Sequence, residues 1–275
     1  MTSPATHVAT RLSALRLVSF VPPQRDAVHV GLLTPDAQHV IDLAGLGITD
    51  ALEALDQLPM LRQAAGAIVH GAARTAFPVS GLHLVAPIPL VRSVVSAPGQ
   101  SAPAFADPAT LHGPGGHLSR DEAAAAQVGM AAVVGTTLDA RVHVDDETVH
   151  DALVGTVLVL GWPQPGHDGQ PALRAGAVGP FVAVPRRRPD ALILTHVAPL
   201  APGAPDDHKR TVPAPTDAEF VALARRALAS HVLRPGDLLT IFPTVTGPAV
   251  PWPVTGGSWV RASAPGLGSL SLAVL

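Results

Sequence analysis

The sequence predicts a mostly β fold with some helix, of the α+β class, and three observations carry that expectation. Glycine and proline are abundant, 25 and 29 of 275 residues, while 47% of the chain is hydrophobic and only 14% charged. Proline at that density is poorly tolerated inside helices but accepted in turns and at strand edges. Apolar runs of strand length recur between turn-forming clusters, and only one segment, APTDAEFVALARRALASHV, is clearly amphipathic at helical spacing, with Thr216 and Glu219 placed as a capping box.

In chain order, RLVSFVPPQRDAVHVGLLTPDAQHVIDLAGLG gives three short strands broken by PPQRD and TPDAQ, a small meander. Leu52, Leu55 and Leu58 then recur at three-residue spacing behind Thr49 or Asp50 as N-cap, so this piece is helical, with Pro59 either breaking it or opening a second helix. LHLVAPIP returns to strand, and its prolines mark a junction between a small N-terminal α/β domain, residues 1–90, and a larger domain, 91–275. Ser93 to Pro103 is rich in Ser, Ala, Gly and Pro and is expected to be a loop. FADPATLHGPGGHL is a strand entering a glycine turn, followed by DEAAAAQVGMAAVVG, a polar start running into an apolar strand. RVHVDDETVHDALVGTVLVLGW holds a strand, a short helix capped by Asp145 or Asp146, and a second strong strand; WPQPGHDGQPALRAG is expected to be a long irregular loop. VGPFVAVP, ALILTHVAPL, LRPGDLLTIFP, GGSWVRASA and GLGSLSLAVL complete the set as strands around the one amphipathic helix.

Bulk properties exclude several function classes. A net charge of −3 and a pI near 6.5 give no electrostatic basis for nucleic-acid or acidic-membrane binding. The single basic run, Arg186 to Arg188, is flanked by prolines and is expected to be a solvated loop. With no cysteine there is no disulfide, zinc-thiolate site or cysteine nucleophile. The N-terminus has neither the basic flank nor the apolar core of a signal peptide, and the longest apolar run, Ala152 to Trp162, is roughly half a membrane span. A cytoplasmic protein with a small-molecule partner is expected.

These segments, in this order and over nearly the whole chain, resemble the fumarylacetoacetate hydrolase superfamily. RLVSFV, VGLL and VIDLA look like its opening strands, and LVAPIPLVRS like the entry to its catalytic domain. FADPATLHGPGGHL is similar to its glycine-proline-glycine segment, VHDALVGTVLVLGW to the helix and strand before its tryptophan region, and AVGPFVAV to its glycine-proline-aromatic strand. LRPGDLLTIFPTVTGP is similar to its proline-glycine-aspartate strand and APGLGSLSLAVL to its terminal strand. The resemblance implies a rolled mixed β-sheet in the larger domain and a homodimer.

Family members hold Mg²⁺, Mn²⁺ or Ca²⁺ with a Glu-x-Glu pair on one strand and an Asp on the next, since a hard dication needs anionic oxygens and alternate strand residues share a face. The corresponding positions here are Gln127, Gly129 and Gly161, so no metal is expected at that site and no other cofactor is implied. The family's Glu-His pair and its lysine have no counterpart in SVVSAPGQSAP or GHDGQPALRAG.

What remains for chemistry is a short set of side chains. His112 and His117 flank the glycine turn LHGPGGHL, as proton carriers or as solvated turn histidines. Asp107 precedes a proline, as a functional carboxylate or a turn cap. Gln127, an amide on an otherwise apolar strand, is either satisfied by backbone or poised for a ligand carbonyl. Arg174 and His167 offer a cation and a proton carrier if they do not simply face solvent. Trp162 and Trp252 offer indole N–H groups and apolar walls, with core packing the plainer role for Trp162, and Phe242, Thr244 and Thr246 stand where the family binds substrate. Arg141 is expected to pair with Asp139 or the Asp145–Glu147 cluster. His112, Asp107, Gln127 and Arg174 are thus the catalytic candidates, and His117, Trp162, His167, Phe242, Thr244, Thr246 and Trp252 the substrate-binding ones.

Three functions compete. One is a metal-independent enzyme acting on a keto, dicarbonyl or polyketide-type molecule by cyclisation, isomerisation, dehydration or decarboxylation in a specialised pathway. Another is a conventional C–C bond hydrolase with displaced metal ligands, and the third a non-catalytic binding or scaffold protein. Gly129 and Gly161 are small, which leaves space for a ligand and favours the first.

Overall fold

A computed structural model of the chain describes residues 14–71, 76–88, 93–96, 104–106, 112–141, 144–165, 171–197, 208–243 and 256–275. The N-terminal meander consists of β1 (Leu15–Val21), β2 (His29–Leu33) and β3 (His39–Asp42), antiparallel throughout. Its second turn is fixed chemically: Thr34 Oγ1 donates to Asp36 Oδ1 at 2.6 Å, and Ala37 adopts φ 58°. Asp50 caps α1 (Ala51–Asp56) by accepting from Glu53 N, while Glu53 reaches back to Thr49 N. Pro59 opens a second helix, α2 (Leu58–Gly71), in a first turn where its missing N–H costs nothing.

The middle of the chain supplies β4 (Ala76–Pro78), β5 (His83–Val85), β6 (Ser93–Ser96), β7 (Ala104–Ala106), β8 (His117–Leu118), α3 (Arg120–Ala124), β9 (Gln127–Val134), α4 (Asp146–Ala152) and β10 (Leu153–Pro165). The remainder is β11 (Pro171–Val178), β12 (Val182–Val184), β13 (Ala191–Val197), β14 (His208–Pro213), α5 (Asp217–Leu228), β15 (Leu238–Ile241), β16 (Trp259–Ala264) and β17 (Gly268–Val274).

Among the described residues these strands form two sheets. A twelve-stranded mixed sheet runs β4-β3-β2-β1-β12-β10-β9-β15-β6-β7, with β11 beside β10 and β5 beside β1; a five-stranded sheet runs β14-β13-β16-β17-β8. Through the β1–β12 ladder the meander is hydrogen-bonded into the same sheet as β9 and β10. One face of the large sheet packs on the small sheet and α5, burying Val128, Met130, Leu158 and Leu160 with Leu192, Phe220 and Leu272. The other face buries Ala131, Val133, Val157 and Val159 with Leu55, Leu58 and Leu61 of α1 and α2.

Several expectations need correction. Ser93–Ser96, expected to be loop, is a strand, because Val94 and Val95 pair in parallel with Leu239 and Thr240. The described residues of WPQPGHDGQPALRAG are not irregular: Trp162 to Pro165 pair with Arg174 to Pro171, extending β10 and β11 as a ribbon. Its prolines are tolerated because β9 leaves β10 at Gly161, so one edge beyond that point carries no β9 ladder. The polar start before β9 is a helix, α3, closed by a Ser119–Glu122 capping box. Strand β14, in HKRTVP, has no counterpart in the sequence reading. Asp139 accepts from the backbone N of Arg141 rather than from its guanidinium, and Asp145 is the N-cap of α4. No helix among the described residues is long and apolar enough to cross a membrane.

Candidate functional site

Strand alternation places Gln127 and Gly129 on the face of β9 shared by Ala131 and Val133, and Gly161 on the matching face of β10 beside Val159. The register is direct: Gly161 lies opposite Gln127, and Val159 opposite Gly129. The three positions assigned by resemblance to metal carboxylates therefore form one compact patch.

The patch is covered from β15. Ile241 pairs with Met130, and the next residue, Phe242, turns its ring over both glycines. A Cβ built on Gly129 would lie 2.7 Å from Phe242 Cδ1, and one built on Gly161 2.4 Å from Cζ. Phe242 is 0% exposed. The space expected at Gly129 and Gly161 is therefore filled, and Phe242, expected to contact substrate, is a buried plug with no free surface. Gln127 stands at the rim of this plug, half-buried, and among the described residues its amide has no hydrogen-bond partner.

A hard dication does not fit these residues. Neither β9 nor β10 carries an acidic side chain, the one polar group is a neutral amide, and a phenyl ring stands where anionic oxygens would have to converge. Among the described residues no three His, Asp or Glu side chains gather as a metal-binding group anywhere else.

The other candidates do not converge on Gln127. Trp162 points to the opposite face, 6% exposed, its indole lying on Gly176, where a Cβ would be 1.5 Å from Cζ3; it packs the core between the sheets, on the face away from Gln127. His112 is exposed, and its backbone bridges β11 by donating from N to Gly176 O at 2.9 Å and accepting from Val178 N at 2.9 Å. From His112 through Ala177 and Leu160 to Val128 is three inter-strand steps, about 14 Å. His117 is exposed on the edge strand of the small sheet, in register with Ala273. Arg174 is a ladder residue opposite Trp162 rather than a loop residue. Asp107, His167, Thr244, Thr246 and Trp252 lie outside the described residues.

Two polar pairs escaped the sequence reading. His29 Nδ1 lies 2.8 Å from Asp42 Oδ2 between β2 and β3, where Asp42 also accepts from Ala44 N. His196 Nε2 lies 2.9 Å from Ser258 Oγ, but both residues are 0% exposed and out of reach of a dissolved substrate. The basic run also differs from expectation. Arg187 and Arg188 are exposed, but the Arg186 side chain is only 10% exposed, turned inward toward Asp217.

No family model matches the chain, and no curated protein matches it. Solved structures do. The chain is similar to maleylpyruvate hydrolase from Sphingobium sp. SYK-6, at 17% identity over 94% of this chain and 99% of that one, with a TM-score of 0.68. It is also similar to 2-hydroxyhepta-2,4-diene-1,7-dioate isomerase from Mycobacterium marinum, at 18% identity over 95% and 98%, TM-score 0.63. Fumarylacetoacetate hydrolase from psychrophilic Exiguobacterium antarcticum matches at 15% identity over 94% and 99%, TM-score 0.63. Agreement over nearly the whole of both chains, at identities this low, is agreement of architecture: the chain has the fumarylacetoacetate hydrolase fold.

Proposed function

We propose that the protein is a metal-independent enzyme acting on a small keto or dicarbonyl molecule, with proton-shift chemistry such as isomerisation rather than metal-dependent hydrolysis. The observation that carries this reading is the Phe242 ring over Gly129 and Gly161, with the Gln127 amide at its rim and without a partner among the described residues. In this reading Gln127 donates its amide N–H to a substrate carbonyl oxygen, whose negative charge grows as a proton leaves the neighbouring carbon. A neutral donor beside an apolar ring loses little to water, so one hydrogen bond counts for more there than at an open surface. His112 is too far across the sheet to be its partner, and Asp107 and His167 are the chemically competent groups for the proton. The structural neighbours named as 2-hydroxyhepta-2,4-diene-1,7-dioate isomerase and 5-carboxymethyl-2-hydroxymuconate delta-isomerase support an isomerase reading by analogy of fold. Placement in a specialised pathway, a homodimeric state and a cytoplasmic location belong to the same reading, on the resemblance and composition alone.

The same ring favours a second reading. A pocket filled by a buried phenyl is what a non-catalytic binding protein would also carry. The conventional hydrolase with displaced ligands has less support, since β9 and β10 offer no carboxylate.

The test is deuterium exchange at the carbon next to the carbonyl of acetylpyruvate and oxaloacetate, followed by NMR in excess EDTA, with elemental analysis of the same sample. Exchange above the buffer rate is expected, and Gln127→Leu should slow it by about 100-fold, the usual effect of losing one oxyanion donor. A stoichiometric metal needed for exchange would overturn metal independence. Binding of the ketoacids without exchange would establish the second reading instead.

A further inference from the structure

The arginine run and the elements around it line a half-open cavity of about 310 Å³ that the proposed chemistry does not use. Its cationic wall is Arg62 from α2 with Arg186, Arg187 and Arg188 from the segment after β12, and His150 of α4 adds a further nitrogen-bearing ring. Two acids, Asp151 and Asp217, also line it, so the lining carries four arginines against two aspartates. Thr156, which lines the same cavity, is five residues before Gly161 on β10, about 16 Å along the strand. Met130 also lines the cavity, but it belongs to the face of β9 opposite Gly129 and Phe242, so the cavity shares no residue with the patch under Phe242.

The wall is built rather than loosely solvated. Thr156, itself 2% exposed, clamps the run: its Oγ1 donates to Arg187 O at 3.0 Å and accepts from Arg187 N at 2.9 Å. That clamp holds the backbone so that Arg186 enters the interior while its two neighbours stay at the rim. Arg186 Nη1 lies 3.2 Å from Asp217 Oδ1, an ion pair by distance, yet it is buried and donates no hydrogen bond, because the carboxylate sits off its N–H directions. Asp217 is itself half-exposed and turned largely to water. Burial pushes the Arg186 guanidinium below its usual range, against the opposing pull of Asp217 and Asp151. A buried guanidinium with an unused donor is costly unless an acceptor reaches it.

We propose that this cavity is a binding site for a small organic or inorganic oxyanion, a phosphoryl or carboxylate group, received by the Arg186 guanidinium and completed by Arg62 and Arg188. Planar guanidinium forks match both anions in geometry and charge, and the volume suits a small metabolite. The site stands independently of the keto-enzyme reading, since it shares no residue with Gln127 or Phe242.

Isothermal titration of the full chain at low ionic strength, with inorganic phosphate and with succinate as separate probes, tests it. Saturable binding of at least one probe is expected, and which of the two binds tells a phosphorylated from a carboxylated ligand. Arg186→Met and Arg188→Gln should each weaken binding by about tenfold or more, while Arg261→Gln, which removes the same charge on β16, should leave it unchanged. Arg188 is exposed, so its variant reports on binding even if Arg186→Met folds poorly. Absence of saturable binding by both probes, or an equal loss in Arg261→Gln, would overturn the proposal.

Discussion

The contact between Phe242 and Gly161 makes a quantitative prediction through a double-mutant cycle. Phe242→Ala removes a wholly buried phenyl from the face of the large sheet packed on α1 and α2 and should cost about 3–5 kcal/mol. Gly161→Ala sets a Cβ 2.4 Å from Cζ, 2.7 Å from Cε1 and 3.4 Å from Cε2, all on this one ring. The ring cannot retreat toward Gly129, where Cδ1 and Cε1 already lie 2.7 and 2.9 Å from the Cβ position. Gly161→Ala alone should therefore cost about 1–3 kcal/mol by overpacking. With Phe242 already alanine the obstruction is gone, and alanine in a strand interior is favoured over glycine by about 0.5–1 kcal/mol. The sign of the Gly161→Ala effect thus reverses between the two backgrounds, giving a coupling of about 1.5–4 kcal/mol. Urea unfolding of the four proteins, compared at constant m, measures it. Additivity within about 0.5 kcal/mol would show that the ring does not occupy the glycine patch.

Other perturbations separate the remaining contributions. Gly176→Ala should be harsher than Gly161→Ala, because its Cβ falls 1.5 Å from Cζ3 of Trp162, and a red-shifted tryptophan emission should accompany the loss of stability. Arg186→Met should leave the unfolding free energy unchanged or raise it by about 1 kcal/mol, since it removes a buried charge whose partner Asp217 stays hydrated; a loss above about 2 kcal/mol in urea unfolding contradicts that. Thr216→Ala removes the side-chain half of the α5 capping box, the bond from Glu219 N to Thr216 Oγ1, and leaves the backbone N–H of residue 216 donating to Glu219; it should cost about 1 kcal/mol by the same measurement.

How much of this was legible in the sequence depended on how local the cause was. The meander and the Thr216 cap follow from turn and cap chemistry within a few residues, and the structure agrees with both; the sequence left Thr49 or Asp50 as cap and Pro59 as breaker or opener, and the structure has Asp50 and a second helix. Strand β6 was hidden because SVVS owes its conformation to Leu239 and Thr240, far along the chain. The β10–β11 ribbon was hidden by Pro163, Pro165 and Pro171, which speak against a strand unless one knows that β9 ends its ladder at Gly161. At the site, period-two alternation together with the family resemblance brought Gln127, Gly129 and Gly161 to one face. The ring that fills that face was not legible, because Phe242 comes from the end of a third strand, and its contact depends on how β15 sits against β9. Nor was the inward turn of Arg186, which the sequence cannot distinguish from Arg187 and Arg188; the distinction is made by Thr156, some thirty residues earlier.

The phenyl cap also constrains the order in which this sequence can change. A carboxylate introduced singly at Gly129 or Gly161 collides with the ring before it can help bind anything. Removal of Phe242 must come first, and that step lowers stability with no ligand to recover it. A metal-binding version of this patch is therefore separated from the present sequence by a stability barrier, not by the count of differences alone. Selection or laboratory evolution working one substitution at a time should be held on this side of it unless the starting protein is first made more stable.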